Sequence, residues 1–295
     1  MKDQVPDPTP LVSIVIPSGR GPAAAAETVS FALRGSEGVS CEVVVAADGP
    51  KWADPPQPVE GARVVRSTHR GPAGTRNSGI RAARGAYIAT IDDDCRPRPG
   101  WLQGMVTAMA DGVGGVGGPV RAYQGKTVFS RFADEIKPLD ACLKPGALRH
   151  YLVTANCLFR RSALDDVGLF HEGFPFPGGE DLELSQRLLD GGYRLAWAPD
   201  AYVDHEFDIP LRSWLRTHYN YGVGTALADA AQGVRVTRLD YTKNFVWLCF
   251  HWNPFKSSFR YGAMDRVAAF MRLVGMWRYA GTSPTDYAKT ASDAA

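Results

Sequence analysis

Three consecutive carboxylates, Asp92-Asp93-Asp94, close the short apolar run Tyr87-Ile88-Ala89-Thr90-Ile91. Side by side at the end of a strand, three carboxylates repel one another unless a cation sits among them. The plainer alternative is a solvated turn that leads past Pro97 and Pro99 into a helix. A second acidic pair, Glu180-Asp181, follows Gly178-Gly179 and opens a helical stretch, where the helix dipole favours negative charge. Pro17-Ser18 and Asp48 also follow apolar runs. Polar residues thus end three apolar runs in turn, the pattern of a site assembled along one edge of a sheet.

The elements that must carry these residues follow from hydrophobic periodicity and its punctuation. Leu11–Ile16, Cys41–Ala47, Ala62–Arg66 and Ala86–Ile91 read as strands, with helices at Ala23–Leu33 and from about Thr75 to Arg84. Continuously apolar strands alternating with helices predict an α/β fold, a mostly parallel central sheet with helices on both faces. Beyond a helix at Trp101–Ala110, the glycine-rich run 112–118 lacks the lysine-bearing helix of a phosphate loop. It reads as a tight turn entering a strand near Val116–Arg121. Residues 122–150 show no period and read as a long functional or mobile loop. Tyr151–Arg160 reads as a strand, Arg161-Ser162-Ala163-Leu164 as the start of a short helix, and Asp181–Asp190 as a helix. Tyr193–Ala198 is a further strand, Tyr202–His205 lies at a strand or turn edge, and helices are expected near 211–231 and 263–279.

Composition bounds the function. A chain of 295 residues, 45% apolar and 22% charged, can bury a real core, and a net charge of +2 makes no argument for nucleic acid as a partner. Charge is uneven, with ten Lys/Arg against three Asp from Leu211 to Ala280. That basic, aromatic-rich third suits an anionic substrate or a membrane surface. The run Trp247-Leu248-Cys249-Phe250-His251-Trp252 either packs on the sheet domain or forms an acceptor or membrane surface. Five widely spaced cysteines without a Cys-x-x-Cys pair fit a reducing compartment. The polar, Pro-rich Met1–Pro10 has no signal-peptide core, and no apolar stretch is long enough to span a bilayer. A cytoplasmic setting is expected, with peripheral membrane contact through the C-terminal region and a homodimer both left open.

Taken together, five motifs resemble the family 2 glycosyltransferases of the GT-A fold. They are Val12-Ser13-Ile14-Val15-Ile16-Pro17, Glu42-Val43-Val44-Val45 through Asp48-Gly49, Arg76-Asn77-Ser78-Gly79-Ile80 with Ala83-Arg84-Gly85, Asp92-Asp93-Asp94, and Gly179-Glu180-Asp181 with Arg187. The resemblance implies a GT-A domain at 11–220, with a nucleotide-binding half at 11–110 and an acceptor and catalytic half at 111–220. Around it would lie a flexible tail at 1–10, a helical, aromatic-rich extension at 221–281 and a disordered tail at 282–295.

The resemblance also implies a metal-dependent, inverting enzyme that moves a sugar from a nucleotide-diphosphate donor, UDP-sugar first. The acceptor would offer a hydroxyl or amine on a small molecule, a glycan or a lipid-linked carrier. A hard cation held by carboxylates neutralises the donor diphosphate as it leaves, and attack on the anomeric carbon needs a base. Asp92-Asp93-Asp94 resembles the family's Asp-x-Asp motif. Asp94 would hold Mn2+ or Mg2+, Asp92 would lie at the donor ribose or share the metal, and Asp93 would also reach the ribose. His205 would complete the metal shell or contact the diphosphate, with a structural histidine as the alternative. Asp48 would bind the nucleobase, Ala47 standing where most members carry a second acid, and Pro17 and Ser18 would line the base pocket. Arg76, Asn156, Gly179 and Arg160-Arg161 are candidate donor contacts. Asp181 would be the catalytic base, kept ionised by its helix N-terminus, with Glu180 as the rival.

Two other readings share the nucleotide-binding half. A sugar-phosphate nucleotidyltransferase would carry arginine and lysine in a glycine-rich loop after its first strand, whereas Pro17-Ser18-Gly19-Arg20-Gly21 is followed by no lysine before Lys51. A non-catalytic nucleotide-sugar-binding protein would lack one of the metal or base acids, and all are present here.

Overall fold

A computed structural model of the chain describes residues 9–67, 71–143, 147, 149–174, 176–234, 236–250, 261–280 and 282. The expectations for residues 1–8, for the side chains of Trp247–Trp252 and for residues 283–295 lie outside the described residues.

Four strands build the nucleotide-type half: β1 (Val12–Ser18), β2 (Cys41–Ala47), β3 (Arg63–Arg66) and β4 (Tyr87–Thr90). They alternate with helices α1 (Pro22–Gly35) and α2 (Pro72–Ala82). All their pairings, β3-β2-β1-β4, are parallel. Both faces are covered, which explains why the strands read as unbroken apolar runs. Ile14, Ile16, Val43 and Val45 share one core with Ala25, Val29 and Ala32 of α1. Val15 and Val44 point the other way, into a core with Ala73 and Ile80 of α2. Burying each such side chain contributes roughly 1.5–3 kcal/mol.

After the short strand β5 (Cys95–Pro97) and helix α3 (Trp101–Thr107), the chain forms β6 (Val113–Gly117) and β7 (Val120–Ala122). Then come α4 (Val128–Ile136), a 3-10 turn at Thr154–Asn156, β8 (Cys157–Arg160), α5 (Arg161–Val167) and α6 (Glu180–Asp190). Strands β9 (Arg194–Trp197) and β10 (Val203–His205) complete the sheets. The main sheet runs β3-β2-β1-β4-β8-β6-β9, and β8 alone is antiparallel to its neighbours. A small sheet, β5-β10-β7, sets His205 opposite Cys95. Helices α7 (Leu211–Ala231), α8 (Arg238–Phe250) and α9 (Gly262–Tyr279) follow. Among the described residues, no helix is long and apolar enough to cross a membrane.

Four expectations change. The glycine-rich run is strand β6 itself, not a turn before a strand, because tertiary neighbours leave no room for side chains. A Cβ at Gly114 would lie 2.8 Å from Tyr193, and one at Gly117 would lie 2.9 Å from Ala141. The supposed loop 122–150 contains α4, whose start is held by a reciprocal capping box between Thr127 and Ser130. Serine in place of the usual Glu or Gln hides that signature in sequence. Of Tyr151–Arg160, only Cys157–Arg160 is a strand of the sheet, and a 3-10 turn at Thr154–Asn156 precedes it. The domain boundary expected at 220 falls inside α7, which runs unbroken through it.

The packing at β6 predicts that Gly115→Val destabilises the fold. Its Cβ would sit 2.6 Å from Leu152 Cδ1 and 3.1 Å from Phe159 Cδ1. Chemical denaturation should show a loss of about 1–3 kcal/mol, the ordinary penalty of overpacking; an unchanged midpoint would refute this account of the glycine run.

Candidate functional site

The C-terminal ends of β1, β2 and β4 meet at Ser18. Its carbonyl accepts from the backbone N–H of Asp48 at 2.9 Å and from Trp52 Nε1 at 2.8 Å. Its hydroxyl donates to Asp93 Oδ2 at 2.7 Å, and the N–H of Arg20 donates to the same oxygen at 3.0 Å. Asp48 Oδ2 in turn accepts from Thr75 Oγ1 of α2 at 3.1 Å. Asp93 is therefore turned inward. Burial raises its pKa to about 6, with Asp94 adding to the rise against the two hydrogen bonds.

Asp94 points to the other side of the turn, where β10 delivers His205. His205 Nε2 lies 3.2 Å from Asp94 Oδ1, and Arg20 Nη1 lies 3.6 Å from Asp94 Oδ2. Burial raises the Asp94 pKa, and Asp92 adds to the rise, while His205 and Arg20 oppose it. His205 Nδ1 is 3.0 Å from the carbonyl of Glu206, which orients the ring and favours a lone pair on Nε2. Cys95 Sγ also comes within ligand distance of this pair. It is fully buried, however, and its thiol donates to the carbonyl of Ala155 at 3.6 Å. Asp94 Oδ1 is a buried carboxylate oxygen with no hydrogen-bond donor among the described residues. An oxygen without a donor beside an imidazole nitrogen fits a hard or borderline divalent cation, whereas a protonated thiol does not.

Asp92 faces neither group. It pairs at 2.7 Å with Arg76 Nη2, and Arg76 Nη1 reaches Glu180 at 2.8 Å. The Arg76 side chain is only 5% exposed. Burial opposes its charge, but Asp92 and Glu180 more than offset this and pull its pKa up. The second oxygen of Glu180 accepts from the N–H of Gly178 at 2.8 Å. These contacts draw the start of α6 against the acid turn. Gly179 holds the bend with φ of 95°, and a side chain there would collide with the backbone of Gly224 on α7. Asp181, the next residue, accepts from the N–H of Leu182 at 2.8 Å. Burial and then the neighbouring Glu180 push its carboxyl up to about 7, against the pull of Arg76 and backbone N–H groups. The expected helix-terminal ionisation is thus overridden. A carboxylate poised near neutrality suits proton transfer.

Several expected contacts are relocated. Asn156 is buried and fully committed within the fold. Its Oδ1 accepts from Trp101 Nε1 at 2.8 Å, and its Nδ2 donates to the carbonyls of Pro119 and Ala201 at 3.0 and 2.8 Å. It ties α3 to the segments that lead into β7 and β10, and both its amide N–H groups are used there. Because β8 runs antiparallel, Arg160 sits opposite Tyr87 at the far edge of the sheet. Arg160 and Arg161 bind the backbone carbonyls of Val113 and Gly85 there. Arg76 is enclosed between two acids instead of lying open to a donor, and the Asp92 side chain turns to it and not to the Asp94–His205 pair. The Asp93 carboxylate and the Ser18 hydroxyl are engaged with each other. Sequence reasoning missed Trp52, the cap that Arg20 places on Asp93, and Tyr221. A Cβ on Gly178 would lie 2.9 Å from the Tyr221 ring. The turn Ser18-Gly19-Arg20 after β1 was the available signal for Arg20; Tyr221, inside a long helix, offered none.

Comparison with known proteins points the same way. A family profile described as "Glycosyl transferase family 2" matches residues 13–168. The chain is 31% identical over 227 residues to a pre-mycofactocin glycosyltransferase of Mycobacterium tuberculosis, covering 73% of this chain and 47% of that protein. It therefore spans about half the length of this curated relative. A mannosyltransferase from Pyrobaculum calidifontis, solved in complex with GDP-Man and Mn2+, matches with a TM-score of 0.53 at 18% identity, over 99% of this chain and 76% of that one. Glucosyl-3-phosphoglycerate synthase from Mycobacterium tuberculosis, solved with Mn2+, uridine-diphosphate and phosphoglyceric acid, matches with a TM-score of 0.50 at 19% identity, over 74% and 76% of the two chains. At such identities these neighbours establish the fold, which is GT-A.

The bridge generates a prediction. Arg76→Met leaves Asp92 and Glu180 without their shared cation and should destabilise the protein by about 3–5 kcal/mol in denaturant titrations. The carboxyl of Asp181, now lacking the pull of Arg76, should titrate at higher pH in a carbonyl-resolved NMR titration. A carboxyl that titrates where it does in the parent protein would refute the coupling.

Proposed function

The chain belongs to glycosyl transferase family 2, and from that premise we propose that it moves a sugar from a nucleotide-diphosphate donor to a hydroxyl or amine of an acceptor, with inversion at the anomeric carbon. UDP-sugars are the first donors to test and GDP-mannose the second, since one structural neighbour is solved with uridine-diphosphate and the other with GDP-Man. The observation that carries the reading is the Asp92–Arg76–Glu180 bridge, which joins the acid turn to the loop that presents Asp181.

On the donor side, Asp48, steadied by Thr75, meets the nucleobase, with Pro17 and the main chain of Ser18 lining its pocket. Asp92 lies toward the ribose, and Gly179 brings the loop backbone close to the sugar. Asp94 and His205 would hold Mn2+ or Mg2+. When bound, such an ion supplies positive charge that offsets the departing diphosphate.

On the acceptor side, Asp181 takes the proton as the acceptor oxygen or nitrogen bonds to the anomeric carbon and the bond from that carbon to the diphosphate breaks on the opposite face. Glu180 is tied to Arg76 and Gly178, so it is neither the base nor a second nucleophile. One free carboxylate supports a single displacement and hence inversion.

Two tests follow. Asp181 works when ionised, so transfer should fall about tenfold per unit as pH drops below about 7 and level off above it. Asp181→Asn should lower kcat by about 10²–10⁴-fold and abolish that acid limb, while nucleotide binding persists. Full activity in this variant would overturn the base assignment. Asp94→Asn should remove the Mn2+-dependent rise in melting temperature that a bound donor produces. A rise equal to that of the parent protein would sink the metal assignment, and release of pyrophosphate in place of nucleoside diphosphate would sink transferase chemistry itself.

A further inference from the structure

We propose that Arg272 of α9, flanked by Tyr151 and Tyr221, receives an anionic group of the acceptor, a carboxylate or a phosphate, and so orients the acceptor toward Asp181. This deepens the proposed function and rests on Asp181 as the base.

The packing of α7 brings Arg272 to the site. At the α7–α9 crossing, a side chain on Gly222 would overlap the backbone of Arg272, and one on Gly275 would overlap the carbonyl of Tyr219. Two residues further along α7, Gly224 lies in the same close manner against Gly178 and Gly179, the loop that leads into Asp181. Two residues of helix rise only about 3 Å, so one short stretch of α7 joins Arg272 to the base loop. Tyr221 stands between them, its ring against Gly178. Its phenol feels the charges of Asp181, Asp92 and Glu180 and also that of Arg272. The Tyr151 phenol likewise feels both Asp181 and Arg272. Burial keeps both phenols protonated and so able to donate a hydrogen bond.

The charge inventory of this region is what marks Arg272. Arg20 pairs with Asp94, Arg76 with Asp92 and Glu180, and Arg149 with Asp229. The Arg272 side chain is half-buried, and among the described residues no hydrogen bond or ion pair holds it. Burial pushes its pKa down, and Asp265, Tyr221 and Tyr151 only partly restore it. Beside it, His218 is held neutral, with a pKa of about 4 caused by burial and then by the charge of Arg272. A guanidinium stays charged in such a place and is poorly compensated there. A planar oxyanion would satisfy it bidentately. A neutral sugar acceptor needs no such cation. An anionic one does, because it must approach Asp181, Asp92 and Glu180 against their negative field.

The test uses the full chain with three matched solutes: glycerol 3-phosphate, glycerate and glycerol. Isothermal titration should show binding of the two anions but not of glycerol, and Arg272→Gln should weaken it about tenfold or more. In parallel, glycerol 3-phosphate should protect Arg272 of the unmutated protein from phenylglyoxal, mapped by peptide mass spectrometry; this arm holds even if the variant does not fold. A vesicle arm uses phosphatidylcholine with and without phosphatidic acid. Arg272-dependent binding in solution assigns a soluble anionic acceptor, and Arg272-dependent retention on phosphatidic acid vesicles alone assigns a lipid-borne one. Affinity unchanged in Arg272→Gln, no protection of Arg272, or no anion binding in either arm overturns the proposal. Loss of Mn2+-dependent nucleotide binding by the unmutated protein would instead overturn the preceding function, which separates the two failures.

Discussion

A guanidinium enclosed between two carboxylates from distant stretches of chain is the constraint on which this site depends. Arg76 comes from α2, Asp92 from the end of β4, and Glu180 from the start of α6, 104 residues beyond Arg76. Removing any one of these charges from water is costly, and the loss is offset only when all three meet in good geometry. Once formed, the bridge fixes the acid turn and the base loop relative to each other. Its counterpart is the inward hydrogen bonding of Asp93 to Ser18 and Arg20, which locks the turn from below and leaves Asp94 to face His205.

That constraint is met because backbones come unusually close at a few points. A Cβ at Gly79 would lie 2.5 Å from Val15 Cγ1, so α2 can press on β1 and carry Arg76 to the edge of the sheet. Gly224 and Gly179 let α7 press on the base loop, and Gly222 with Gly275 lets α9 press on α7. Close packing of this kind transmits position rigidly. The C-terminal helices are thus part of how the loop of Asp181 is held, rather than an appendage beside it.

The same enclosure sorts the acids electrostatically. Asp93 is raised to about 6 and Asp181 to about 7, both chiefly by burial, yet of the two only Asp181 has no side-chain hydrogen-bond partner among the described residues. Glu180, its neighbour, is held by Arg76, and its negative charge still raises Asp181. Two adjacent carboxylates thereby take different parts, one structural and one available for proton transfer.

The sequence by itself determined the sheet, the polar strand ends and the acids that gather there. Those depend on local periodicity, on residues that end strands, and on motifs kept contiguous in the chain. It could not tell apart acids that share one motif: Asp92, Asp93 and Asp94 differ only in which neighbour each one meets, and those neighbours lie up to 111 residues away, as His205 does from Asp94. Asn156 looked like a ligand because buried amides and binding amides are the same residue type. Only the packing showed its oxygen and nitrogen engaged by Trp101, Pro119 and Ala201. The glycine-rich strand β6 and the capping of α4 were likewise settled by contacts across the fold. The acid triplet was legible as a site from the chain alone. Which acid turns inward, which meets Arg76 and which faces His205 was decided by tertiary structure, because burial and partner charges, not residue type, set what each carboxylate does.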